Sequence, residues 1–63
     1  MKNKLKETRL QRKLTQQQVC DLCNIKFTQE YMLIENGKRI PRVDKAIKIA
    51  RALKKKVADL WII

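Results

Sequence analysis

The stretch Leu14-Thr15-Gln16-Gln17-Gln18-Val19-Cys20-Asp21-Leu22-Cys23-Asn24-Ile25, followed closely by Gln29-Glu30-Tyr31-Met32-Leu33-Ile34-Glu35-Asn36-Gly37-Lys38-Arg39, decides the reading of this chain. It predicts two short helices joined by a tight turn. Thr15 suits the N-cap of the first, because its hydroxyl can accept an orphan backbone N–H, and Gln18 completes a capping-box pattern. Val19, Leu22 and Cys23 supply an inward stripe with Cys20 beside it, which predicts a helix over about Gln16 to Cys23. Asn24 tolerates a left-handed backbone and can end that helix. Ile25-Lys26-Phe27 reads as the connector. Thr28 is the expected N-cap of the next helix, which runs to about Glu35 with Tyr31 and Ile34 facing inward. Gly37 stands where a C-terminal glycine belongs. Such a unit can push one helix into a DNA major groove while the other crosses the backbone.

The flanking segments look built to hold that unit rigid. Lys2 to Lys13 is polar and basic, with Leu5, Thr8, Arg9 and Arg12 at helical spacing, and predicts a first helix with a sparse inward face. Lys38 to Arg42 is a basic loop in which Pro41 prevents helix. Val43, Ala46, Ile47, Ile49, Ala50 and Leu53 form a 3.6-residue stripe, so a fourth helix is expected from about Val43 to Leu53. After the basic turn Lys54-Lys55-Lys56, the residues Val57, Leu60, Trp61, Ile62 and Ile63 predict a short apolar fifth helix. No repeat, linker or low-complexity segment interrupts the pattern, so residues 1–63 are expected to form one domain.

Composition narrows the function. Sixteen Lys and Arg against six Asp and Glu give a net charge of +10 on 63 residues, which biases partners toward polyanions. Nucleic acid leads, with an anionic membrane surface or an acidic protein as the other candidates. The 44% hydrophobic content excludes a disordered tail, and one glycine with one proline argues for helices over tight-turned sheet. No N-terminal run is apolar and long enough for a signal peptide or membrane span, so a bacterial cytoplasmic or nucleoid location with reduced thiols is expected. The charges spread around all the helices instead of opposing one apolar face, which disfavours a membrane binder. With no histidine, no phosphate-cradling glycine loop and no paired carboxylates, the chain reads as a non-enzyme with no cofactor.

Three motifs in order carry a resemblance. Leu14-Thr15-Gln16, then Ile34-Glu35-Asn36-Gly37-Lys38-Arg39-Ile40-Pro41, then Ala46-Ile47-Lys48-Ile49-Ala50-Arg51-Ala52-Leu53 resemble the helix-turn-helix family of phage repressors and Cro, the XRE family. The resemblance implies a compact all-α, five-helix bundle of the lambda-repressor-like DNA-binding type with a central helix-turn-helix. It implies a regulator that binds double-stranded operator DNA as a homodimer, most simply a repressor from a phage, plasmid or other mobile element. In the family, the residues matching Arg9 and Glu35 pair inside the protein. That is chemically sensible, since a half-buried arginine needs a carboxylate to offset desolvation. Gln16 matches a glutamine at a helix N-terminus that meets a phosphate, and Asn36, Lys38 and Arg39 match a loop that touches the DNA backbone.

The chain departs from the family pattern in four places. One extra residue lies between Ile25 and Tyr31, so the turn is expected to be enlarged, with Thr28 and Gln29 opening the recognition helix over about 28–35. Met32 and Leu33 fall on the outward face, where relatives carry polar base readers; apolar groups can touch thymine methyls but give no bidentate hydrogen bonding. Lys13, Asn24 and Lys54 replace glycines. Arg42 and Lys56 stand where serine caps are common.

These features assign candidate roles. Thr28, Gln29, Met32 and Leu33 are expected to face bases, with Gln29 the strongest because a carboxamide can bond adenine N6 and N7 together. Gln16, Lys26, Asn36, Lys38, Arg39 and Arg42 are expected at phosphates, set against the plainer reading of a solvated basic loop. Glu30 either tunes specificity or faces away. Cys20 and Cys23 form a CxxC with no second pair and no histidine, so they read as small core residues and no metal site is expected. Trp61, Ile62 and Ile63 are candidate dimer contacts, and Leu10 could belong to a second apolar patch. The competing reading is a protein-interaction module on the same scaffold, an antirepressor or an antitoxin, for which Met32 and Leu33 would form the contact.

Overall fold

In the computed structural model, which describes residues 3–61, five helices follow one another: α1 (Leu5–Gln11), α2 (Gln16–Cys23), α3 (Thr28–Glu35), α4 (Val43–Ala52) and α5 (Val57–Leu60). The described residues contain no strand, only an isolated antiparallel bridge between Asn3 and Trp61. The all-α class and the five-helix order expected from the sequence are the ones observed.

Local chemistry explains several boundaries. At the start of α2 the Thr15 hydroxyl accepts from the Gln18 N–H at 3.1 Å, and the Gln18 side-chain oxygen accepts from the Thr15 N–H at 2.8 Å. Two orphan donors are thereby satisfied reciprocally. The four longer helices stop by one device. Lys13, Asn24, Gly37 and Lys54 turn left-handed, with φ of 57°, 58°, 76° and 56°. The next residue then donates back across the last turn: Leu14 to the Arg9 carbonyl at 3.1 Å, and Ile25 to Cys20, Lys38 to Leu33 and Lys55 to Ala50, each at 2.9 Å. This is the Schellman arrangement. Glycine adopts it freely, whereas each lysine carries a Cβ penalty of about 1 kcal/mol.

Leu5, Val19, Cys20, Tyr31, Ile49, Leu53 and Leu60 are fully buried, and Cys23, Ile25, Ile34, Ala46, Ala50 and Trp61 complete the same cluster. α2 lies against both α3 and α4, and α4 carries α5. The N-terminal residues are tied to this body. Lys4 N–H donates to the Leu60 carbonyl at 2.7 Å. Asn3 accepts from the Leu5 N–H at 3.0 Å and donates through Nδ2 to the Ile34 carbonyl at 2.9 Å. The bond to Leu5 is local, two residues on, whereas the bond to Ile34 spans 31 residues and leaves no local sequence signal.

Five expectations are corrected. Helix α1 begins at Leu5, not near Lys2, and Arg12 is exposed at its end instead of facing inward. Leu22 is 60% exposed. The inward arc of α2 is centred between Val19 and Cys20, because α3 and α4 approach from that side. Thr28 is not the N-cap of α3: Phe27 takes that position with an extended backbone, and Thr28 is already helical. On α4, Val43 is 77% exposed and Ile47 borders solvent, since neighbours cover only the arc of Ala46, Ile49, Ala50 and Leu53. Finally, Trp61 is extended and not helical, and it is buried in the chain's own core. Ile62 and Ile63 lie outside the described residues.

Candidate nucleic-acid interface

Helix α3 is held from one side. Tyr31 and Ile34 sink into the core. Glu35 is buried and grips Arg9 of α1 in a two-pronged pair: Nε donates to Oε2 and Nη2 to Oε1, both at 3.1 Å. The third guanidinium nitrogen, Nη1, donates to the Leu14 carbonyl at 2.9 Å, so the pair also fastens the loop that leads into α2. Bonding to Glu35 raises the Arg9 pKa further, against the opposing effect of burial, so the guanidinium stays charged. The fork geometry matters here, because the planar guanidinium presents parallel N–H groups to the two carboxylate oxygens while a third nitrogen reaches the carbonyl, an arrangement that the single nitrogen of a lysine does not offer. The Tyr31 hydroxyl is buried beside this pair without a well-aligned hydrogen bond among the described residues. Its pKa is pushed far up by burial and then by the Glu35 charge.

The flank of α3 is fixed by a second pair. Glu30 accepts from the Lys45 ammonium of α4. That bond, with a further contribution from Arg39, holds the Glu30 carboxyl below the usual carboxylate range. Glu30 is thus turned toward α4 and its charge is neutralised there. Lys45 was not singled out in the sequence, since a contact 15 residues away leaves no local signal.

What remains of α3 faces outward. Gln29 is exposed, Met32 is 41% exposed, and Thr28 and Leu33 are half-buried. At 100° per residue these four share one arc of the helix, while Tyr31 and Ile34 lie on the other side and Glu35 sits at the border of the arc, below Thr28. Gln16, half-buried, is the first residue of α2. Asn36, Lys38, Arg39 and Arg42 are all exposed in the loop from α3 to α4. Arg39 and Arg42 come together with Glu30, Lys45 and Asp44 around a cleft of about 500 Å³. Lys26 is exposed in the turn before α3, with its ammonium 5.7 Å from the centre of the Phe27 ring. Arg42 and Lys56 occupy N-cap positions without a side-chain cap bond. The backbone N–H of Lys56 instead donates to Asp59 at 3.3 Å.

Other features carry no site chemistry. Cys20 and Cys23 are free and buried, and burial pushes Cys23 up to about 11 and Cys20 in the same direction. Thiolates are therefore disfavoured at neutral pH, and both side chains act as small core residues. No cluster of His, Cys, Asp and Glu suited to a metal exists among the described residues. No helix among them is long and apolar enough to cross a membrane. A groove of about 490 Å³ lined by Ile40, Pro41, Val43, Val57 and the edge of Trp61 is almost wholly apolar.

The arrangement is a rigid helix with one side locked into a core and the other open, flanked by a cationic loop, which is the geometry of a helix-turn-helix. No curated protein and no solved structure matches the chain. The sequence model of the helix-turn-helix family HTH_3, by contrast, matches residues 5–60, which spans all five helices. The chain therefore belongs to this XRE-type helix-turn-helix family of DNA-binding transcription regulators.

Proposed function

We propose that this chain is a sequence-specific double-stranded DNA-binding regulator, a repressor from a phage, plasmid or other mobile element, that works as a homodimer in the bacterial cytoplasm. Residues 1–63 act as one domain. Helix α3 enters the major groove, with Gln29 reading adenine and Thr28, Met32 and Leu33 lining the base edges. Gln16, Lys26, Asn36, Lys38, Arg39 and Arg42 grip phosphates. The observation that carries this reading is the one-sided anchoring of α3. Tyr31, Ile34 and the Arg9–Glu35 pair hold its inner side, while its outer side is open beside an exposed basic loop.

Dimerisation is supported by the apolar groove between the α3–α4 loop and α5, where Ile40 is 69% and Val43 77% exposed. A second copy packing there would cover apolar surface that is unfavourable in water. Val43→Glu should then shift the protein to monomer in sedimentation and weaken operator binding without unfolding it.

The decisive experiment is selection of bound sequences from a random duplex pool at physiological salt. The expected product is an inverted repeat with half-sites about 34 Å apart, one helical turn. A dimer that neutralises ~6–10 phosphates should lose ~10³–10⁵ in affinity between 50 and 200 mM salt. A pool that emerges without any preferred sequence, or a flat salt response, overturns the reading. The exposed Met32 favours one second reading, a protein partner that occupies the same side of α3. A stoichiometric partner that competes with duplex DNA for this surface would support it.

A further inference from the structure

Phe27 has no internal task that accounts for it. It sits at the N-cap of α3, where Ser, Thr, Asp or Asn would satisfy an orphan N–H, and its side chain makes no cap bond. Nor is it a core residue, because its ring is 60% exposed while Ile25, two residues earlier, is 6% exposed. In the turn before α3 the backbone leaves the buried Ile25 and exposes Lys26 and Phe27 in succession before the helix begins at Thr28. The Lys26 ammonium stands 5.7 Å from the ring centre, close enough for a cation–π attraction that keeps charge and ring together. An exposed aromatic carried with its own cation, at the leading end of the helix, suits a surface that is anionic outside and apolar within. The floor of a DNA major groove has that character, with phosphates at its rim and thymine methyl groups on its base edges.

From this we infer that Phe27 reads a thymine C5-methyl group, with Lys26 on the adjacent phosphate. This rests on the proposed insertion of α3 in the major groove, and it adds a specificity residue outside the helix itself. The contact is apolar and directional: a pyrimidine methyl fills the space against the ring, whereas its loss leaves the ring facing an unfilled gap. Thymine and 5-methylcytosine therefore serve alike at that position, and uracil and cytosine do not.

The test uses the site obtained by selection and replaces each thymine in turn by deoxyuridine, which removes the methyl and leaves charge and pairing unchanged. The wild-type protein should lose about fourfold in affinity at one thymine per half-site, the value of one buried carbon. Phe27→Ser should bind thymine and uracil at that position equally. Serine can cap the helix, so this variant folds at least as well, which thermal melting verifies. Phe27→Leu should keep part of the discrimination, and Lys26→Ala should reduce the salt slope while keeping it. If every thymine is insensitive to methyl removal, or if Phe27→Ser retains the wild-type pattern, the assignment of Phe27 fails although α3 still binds DNA. If selection returns no preferred sequence, the groove reading itself fails, and Phe27 with it.

Discussion

Helices α2 and α3 are both eight residues long and lie against each other, yet they are held by different means. α2 is specified from within its own sequence. It opens with a reciprocal Thr15–Gln18 cap and closes on the left-handed Asn24. α3 has no cap bond at its start. It is secured by α1 through Arg9–Glu35, by α4 through Lys45–Glu30, and by the burial of Tyr31 and Ile34. The difference teaches that the scaffold helix can rely on local chemistry, whereas the exposed helix leaves its leading end and outer side uncommitted and takes its rigidity from behind. A helix fastened in this way can present changed side chains outward without losing its place.

The comparison breaks most sharply at Glu35. Glu35→Gln leaves a buried guanidinium without its counter-charge and should destabilise the protein by about 3–5 kcal/mol, enough to unfold a domain of this size. Exchanging both partners for apolar residues of similar volume (Arg9→Met with Glu35→Leu) should recover most of that loss in urea melts. If Glu35→Gln instead melts like wild type, α3 is not anchored from behind.

The helix starts should respond in opposite directions. Thr15→Ala removes the cap of α2 and should cost about 1 kcal/mol, whereas Phe27→Ser adds a cap to α3 and should gain up to about the same. Equal losses at both sites would erase the distinction drawn here.

The helix ends sharpen it further. Lys13→Gly and Lys54→Gly relieve a left-handed Cβ at the close of α1 and α4, and each should stabilise by up to about 1 kcal/mol after the greater freedom of the unfolded glycine is allowed for. In a domain this small that corresponds to a rise of about 4–8 °C in Tm per kcal/mol. Gly37→Lys, at the end of α3, should move the other way.

The smallest effect belongs to the flank of α3. The Glu30 carboxyl is held below its ordinary value of 4.5 by Lys45, so the pair stabilises the fold above that value. The contribution disappears as pH falls through the depressed folded value. Melting of wild type and Glu30→Gln compared from pH 7 downward should therefore show a small gap that closes in acid. Because the pair is partly solvated, the gap should also shrink at high salt.

Much of this was legible in the residues. Helix count, the α2 cap, the left-handed Asn24 and the Gly37 stop follow from rules that act within about four residues, and a chain segment carries those rules wherever it goes. The Arg9–Glu35 pair was legible only through the family resemblance, since partners 26 residues apart share no local pattern. The outward placement of Gln29 and Met32 follows from helical phase once Tyr31 is taken as buried. Lys45, Asn3 and Phe27 were missed as determinants because their meaning lies in what stands next to them.

The sequence by itself therefore determined an all-helical chain with a cationic loop after its third helix, because backbone hydrogen bonding, capping and charge are properties of neighbouring residues. Only the tertiary structure decided that Leu22 and Val43 face water while Trp61 does not, that α3 starts after Phe27, and that Glu30 turns toward Lys45. Burial depends on the direction from which other helices approach, and that direction is a property of the assembled molecule.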